Sequence, residues 1–381
     1  MKRTAMLLPL LLLTACGPQA PQSSSPPGAA AAPAASPAPG AATRAPEPLL
    51  VVLESSGGVG KPQDTIAIAG LDGYARAKTR FKPHATPWVL PDLGPLTPRL
   101  AHVANGRAYF VDGDGVVRSL GVDGGVREET RFPVTSPQQE VSFAVSPDGH
   151  DLVGAVVTLP AKPNPEPTPG WFPSTPYAMD VMTATSGGPA TVAYHRTWLY
   201  DEHLGSGAQF VGWDTAGPVA TWPSSLGTQG GGPHQWNGTA LLHYPGGRPG
   251  PAVPAPDGCF VMDHLPSGVS LCGGTSGGVQ VLGADGSVQW SVGAASEQGL
   301  YGFLSPDAQR LVILGSGSQV FGRSGAPVTL PNGFYHAGWI DAKTIAGQVD
   351  PPGNFAYVSL TNPGKVVDLG FKGEFVGGFT G

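Results

Sequence analysis

Charge is scarce in this chain. Only 13% of its 381 residues are Asp, Glu, Lys or Arg, about half the usual share. The 21 Lys and Arg form no basic run, and a protein that grips phosphates needs one, so no nucleic-acid partner is expected. Cysteine is scarcer still, at three residues. From residue 49 onward no stretch carries apolar residues at the 3.6-residue period of an amphipathic helix, which excludes helical bundles and α/β folds. The apolar run Met6 to Leu13 falls well short of the roughly 20 residues needed to cross a bilayer. Marks of catalysis are missing too. There is no Gly-x-Ser-x-Gly elbow and no pair of carboxylates placed for glycoside hydrolysis. The Gly-rich stretch 228–233 lacks the Lys-Ser/Thr and following helix of a phosphate loop. No catalytic residue, metal ligand set or cofactor is therefore assigned.

What the chain has in quantity is Gly and Pro. The 57 glycines and 42 prolines make about a quarter of the residues, a share that reads as disorder when evenly spread. Here they punctuate short runs rich in Val, Leu, Ile, Phe and Tyr, the pattern of turns between β-strands. The clearest unit is Val141 to Val157, where two β-prone runs flank Ser146-Pro147-Asp148-Gly149. Pro presets φ, Asp bonds backbone two residues on, and Gly supplies φ > 0, so this is a hairpin connection. Looser copies of it turn at Asn105-Gly106, Asp214 to Gly217, His264 to Gly268, Ser305 to Ala308 and Asp341 to Lys343. A spacing of roughly 40 to 50 residues with about four strands per unit marks propeller blades. Six such hairpins cover 100–371, with Val279–Leu282 and Ser287–Val292 supplying the outer strands of one blade. Three strands between Leu49 and Phe81 then lack an inner partner, and the C-terminal run from Glu374 resembles an inner strand. Placing it in the first blade gives an all-β, seven-bladed β-propeller with a closed ring, six or eight blades being the alternatives. The Ser-Pro-Asp-Gly turn resembles that of TolB-type, WD-repeat-like propellers of the bacterial envelope. It is complete at Ser146 to Gly149 and three-quarters complete at Ser305 to Ala308. The resemblance implies a propeller in an envelope setting, and no catalytic residues.

The N-terminus carries an address. Lys2 and Arg3 precede the apolar run, and Leu13-Thr14-Ala15-Cys16 follows it, the order of a secretory signal. This end resembles the bacterial lipoprotein signal, whose lipobox matches at all four positions. The resemblance implies cleavage of residues 1–15 and acylation of Cys16, palmitate included. Residues 16–48, almost wholly Ala, Pro, Ser, Gly and Gln, have nothing to bury and read as a disordered tether. The propeller domain is 49–381. A lipid-anchored, extracytoplasmic monomer on the cell membrane or outer membrane is expected.

Two further groups matter. Cys259 and Cys272 are an even pair outside the cytoplasm, centred on the His264 to Gly268 turn, which predicts a disulfide between facing strands. The unusual loops are Pro160 to Pro176, Thr197 to Gly207 and Pro223 to Trp236. In a propeller these leave strands on one face, gathering Trp171, Phe172, Trp198, Tyr200, His203, His234 and Trp236 on one sector of a rim. Exposed aromatics beside His and carboxylates suit capture of a protein, peptide or glycan partner, although such residues also cap a domain edge. Asp201-Glu202-His203, with His195 or His234, matches no trusted metal spacing. His102 and His336 fall on predicted innermost strands, where they line the channel. The alternative function is an envelope hydrolase or lyase acting on a polysaccharide or peptide at the channel mouth through His203, His102 or His336.

Overall fold

The computed structural model describes residues 47–54, 64–83, 101–159, 176–199, 207–221, 241–274, 278–293, 301–314, 318–350 and 353–381. The first blade contains β1 (Pro48–Glu54), β2 (Asp64–Gly70) and β3 (Ala75–Phe81). The second is β4 (Ala101–Ala104), β5 (Arg107–Val111), β6 (Val116–Gly121) and β7 (Val126–Arg131). The third is β8 (Gln139–Val145), β9 (Asp151–Thr158), β10 (Tyr177–Thr185) and β11 (Thr191–Trp198). Of the fourth, the described residues form β12 (Gln209–Asp214), β13 (Gly217–Thr221) and β14 (Leu242–His243), followed by a 3₁₀ turn at Pro245–Gly247. The fifth is β15 (Cys259–His264), β16 (Ser270–Gly274), β17 (Val279–Leu282) and β18 (Val288–Val292). The sixth is β19 (Tyr301–Leu304), β20 (Arg310–Leu314), β21 (Gln319–Gly322) and β22 (Val328–Thr329). The seventh is β23 (Phe334–Asp341), β24 (Thr344–Val349), β25 (Phe355–Ser359) and β26 (Val366–Asp368). The chain ends in β27 (Glu374–Thr380), which lies beside β1 in the order β27-β1-β2-β3. The result is seven antiparallel sheets in a ring. The fold is a seven-bladed β-propeller.

The inner hairpins form because their turn residues satisfy their own backbone. In the third blade the Ser146 hydroxyl donates to Asp148 Oδ1 (2.5 Å) and accepts from the Asp151 amide (2.9 Å). Asp148 Oδ1 also accepts from the His150 amide, and Gly149 takes φ 76°. Ser305, Asp307 and Arg310 repeat the arrangement in the sixth blade, with Ala308 at φ 55° where Gly149 stands in the third. In the second blade Asn105 and Gly106 are both at positive φ, as the tight hairpin turn that matches strand twist requires.

Packing follows the ring. The buried apolar residues fall into seven clusters, and each bridges one junction between neighbouring blades. Tyr109 and Val117 of the second blade meet Phe143 and Leu152 of the third, for example, and Leu271 and Val281 of the fifth meet Leu304 and Leu311 of the sixth. The junction of seventh and first blades is closed by β27, whose Phe375 joins Leu50, Val52, Ile340 and Phe355. The C-terminal strand pairs along β1 from Pro48↔Thr380 to Leu53↔Glu374. Gly378 lets it pass close to the seventh blade, since a Cβ there would lie 2.4 Å from the Ile340 carbonyl oxygen.

Cys259 and Cys272 are bridged, with Cα atoms 5.6 Å apart. They are diagonal rather than directly opposite as the turn midpoint suggests. Cys259 faces Gly274 and Cys272 faces Val261, because the hairpin turns about residue 267, where Leu265 donates to the Val269 carbonyl, rather than about the midpoint of the two cysteines.

Candidate functional site

Antiparallel pairing sends the connections of each blade alternately to two faces of the ring. The turns joining first to second strands lie on one face. The connections β9–β10, β11–β12 and β13–β14, the three that the sequence picks out, leave from the other, as does the β3–β4 connection of residues 82–100. Trp171, Phe172, Tyr200, His203, His234 and Trp236 lie outside the described residues. Trp198 is described and is not an exposed rim aromatic. It closes β11, is 7% exposed, and stacks on Tyr177 with ring centroids 5.5 Å apart. The two residues are directly paired across β10 and β11, so the indole folds onto its partner and joins the core between the third and fourth blades. His195 sits on the same strand, exposed, 2.7 Å from Asp180 Oδ1 on β10.

Under that loop-bearing face the entry ends of the inner strands carry polar side chains that the core does not satisfy. Glu140 on β8 is 5% exposed, and among the described residues its Oε1 has no hydrogen-bond partner; Gln138 Oε1 and Gln209 Nε2, at the starts of β8 and β12, also have none there. These strands are neighbours, because the Ser142 hydroxyl of β8 accepts from the Phe210 amide of β12 at 3.2 Å. Burial pushes the Glu140 carboxyl up to about 7, since a charge costs most where water is excluded. On the seventh blade His336 meets Phe303 edge-on at 5.4 Å and lies 3.2 Å from Ser318 Oγ, leaving its Nε2 without a partner. Burial lowers its imidazole to about 4, so it is neutral. His102 is buried edge-on to Phe143 at 4.9 Å. Both histidines are on innermost strands as the sequence predicts, but they are packed against neighbouring blades.

The other face holds a group that sequence reasoning missed. Asp214 Oδ2 lies 2.9 Å from His243 Nε2 and 2.9 Å from His264 Nε2, and His264 Nδ1 lies 2.8 Å from Ser270 Oγ. A carboxylate only accepts, so both imidazoles donate to it, and His264 Nδ1 accepts the serine proton. Burial opposes ionisation of Asp214, yet hydrogen bonds from His264, His243 and the Ala216 amide outweigh it and hold the carboxyl down at about 2. The order Ser, His, Asp is that of an acyl-transfer triad. Ser270 is 1% exposed within β16, however, and what the geometry shows is a set of buried hydrogen bonds between strands of two blades. The group is a clamp between the fourth and fifth blades. Its members are up to 56 residues apart, and His243 sits on a two-residue strand, so no local motif announced it.

No family model and no curated protein sequence matches the chain. Among solved structures it is similar to an oligogalacturonate lyase in complex with manganese, with 12% identity, TM-score 0.46, and coverage of 77% of this chain and 81% of that one. The Dos1 propeller gives 13% identity and TM-score 0.44, covering 86% and 85%. The Pyrococcus horikoshii acylaminoacyl peptidase gives 11% identity and TM-score 0.49, with 84% of this chain against 50% of that one. Likeness at this level carries no functional argument.

Proposed function

We propose that this chain is a lipid-anchored extracytoplasmic protein whose propeller captures a protein, peptide or glycan partner on the loop-bearing face. The address rests on the lipobox Leu13 to Cys16 and the tether that follows it. Acylation at several positions of Cys16 would hold the protein firmly, since one chain binds only marginally, and the tether would lift the ring off the surface. The observation that carries the binding half is Glu140. A buried carboxyl with an oxygen lacking any partner is rare in a settled core, and buried groups of this kind concentrate where something binds. It stands with Gln138 and Gln209 beneath the face from which the β9–β10, β11–β12 and β13–β14 connections leave. A ligand donating to Glu140 and accepting from Gln209 would satisfy atoms that the fold leaves open.

The test uses the full chain in its native membrane. Cys16→Ser is expected to move the protein from the membrane to the soluble fraction and to abolish incorporation of a palmitate analogue. In-cell crosslinking of wild type is expected to capture a partner that Glu140→Leu and the double variant Trp171→Ala, Trp236→Ala both lose. Undiminished capture by both variants overturns the binding reading, and unchanged membrane association of Cys16→Ser overturns the address.

A further inference from the structure

On the face opposite the long connections, a cavity of about 430 Å³ opens between the third and fourth blades. That volume is within the range of about 300–1,000 Å³ typical of small-ligand sites. Its walls are strand ends and turns: Asp151 at the start of β9, Thr183 and Thr185 at the end of β10, Trp213 at the end of β12, and Gly246 with Gly247 of the 3₁₀ turn. Gly247, at φ 77°, lets the turn lie flush on the third blade, because a Cβ there would come within 2.8 Å of both Thr183 Cγ2 and Ala193 Cβ. Gly246 faces open space instead, and its missing side chain leaves the cavity clear.

The free groups in this cavity have a definite character. Trp213 packs partly on the core between the two blades and also lines the cavity. Among the described residues neither its indole N–H nor the Thr183 and Thr185 hydroxyls find a hydrogen-bond partner. Asp151 lends Oδ1 to His150 at 2.8 Å and keeps Oδ2 open. No Lys or Arg is among the lining residues, so phosphates and other anions have no counter-charge here. Strand β10 is hydrogen-bonded on both sides, to β9 and β11, so an extended peptide cannot add to it, and the edge strand β11 contributes only its first residue, Thr191, to the lining. An aromatic ring for the C–H face of a pyranose, neutral hydroxyls, and one carboxylate oxygen to accept from sugar hydroxyls remain.

We infer that this cavity between the third and fourth blades is a binding site for a neutral oligosaccharide, with Trp213 as platform and Asp151, Thr183 and Thr185 as hydroxyl partners. The site is separate from the loop-bearing face and stands or falls without it. Titration of the full-length protein in detergent with chitotetraose and cellotetraose, followed by tryptophan fluorescence and saturation-transfer NMR, tests it. At least one sugar is expected to bind saturably, about tenfold more weakly in Trp213→Ala and in Asp151→Asn, and unchanged in Val288→Thr, an exposed position away from the cavity lining. Asp151 is exposed, so Asp151→Asn keeps the fold and serves even where Trp213→Ala does not. Absence of saturable binding of both sugars up to about 10 mM, the weak end of useful affinity, overturns the inference. So does binding that neither variant changes, or binding of a decaproline peptide at Trp213 in place of the sugars.

Discussion

Ser146 and Ser305 begin two turns that share a hydrogen-bond pattern and differ at the fourth residue. Gly149 at φ 76° occupies the left-handed region without cost, whereas Ala308 at φ 55° pays for its Cβ there. Ala308→Gly is therefore expected to stabilise the protein by about 0.5–1 kcal/mol, read as a rise in urea midpoint at constant slope. Gly149→Ala is expected to cost more than that gain, because its Cβ would also lie 2.4 Å from the Tyr109 hydroxyl. Glu140 makes the residue-scale argument in pH. Its folded-state value of about 7 lies above the ordinary 4.5, so the native state holds the proton more tightly than the unfolded chain. The stability this confers is complete below about pH 4.5 and is lost as pH rises through 7, by on the order of 3 kcal/mol. Glu140→Gln, which cannot ionise, should gain on wild type between pH 5 and pH 8 in unfolding experiments; parallel pH profiles for the two proteins would show that Glu140 is solvated.

Between elements, Asp214 ties β12 to β14 and β15 by a single carboxylate oxygen. Asp214→Asn turns one carboxylate oxygen into an NH2 that cannot accept, so either both imidazoles or the Ala216 and Gly217 amides lose their partner, and it is expected to cost about 2–4 kcal/mol. Wild type should lose the same stabilisation in acid: the folded value near 2 lies below the ordinary 3.8, so the contribution is present above about pH 4 and fades as pH falls toward 2. An acid limb that persists unchanged in Asp214→Asn would assign it to other carboxylates. The disulfide between β15 and β16 closes a span of 13 residues, and its removal by Cys259→Ser with Cys272→Ser should cost about 3 kcal/mol, measured against oxidised wild type. These two links show where sequence reading succeeds and where it stops. The cysteine pair flanks one turn, so spacing alone pairs it, although the exact turn centre that sets its diagonal register is invisible in the letters. The aspartate and its histidines come from three strands of two blades, and only the folded ring brings them together. Trp198 fails for a related reason: an aromatic at a strand end reads as exposed until its cross-strand neighbour, Tyr177, is known to stack on it.

At the scale of the whole molecule, strand order was legible because every blade repeats one local rule, strand, turn, strand, and the one irregularity fell at the termini. Three strands without an inner partner at one end and one inner-type strand at the other have a single economical solution, and β27 beside β1 is that solution. Closure has an energetic consequence that no single blade shows. The seven apolar clusters each lie between blades, so a blade is buried only when both neighbours are in place, and opening one junction exposes surface on two. Deleting 374–381 removes Phe375 from the junction of seventh and first blades and bares the β1 edge along Leu49, Val51 and Leu53. The truncated chain is expected to lose a single cooperative urea transition and to self-associate through the uncovered edge, seen as early elution in size exclusion. Gly378→Val keeps the strand but forces a side chain against the Ile340 carbonyl, and should cost about 1–3 kcal/mol while the protein stays monomeric and cooperative. Val288 on the outer strand β18 is 51% exposed and belongs to no junction, so Val288→Thr should stay within about 0.5 kcal/mol of wild type. A truncated chain that unfolds cooperatively at the wild-type midpoint would mean that the blades are stable by themselves, and that the ring is held within sheets and not between them.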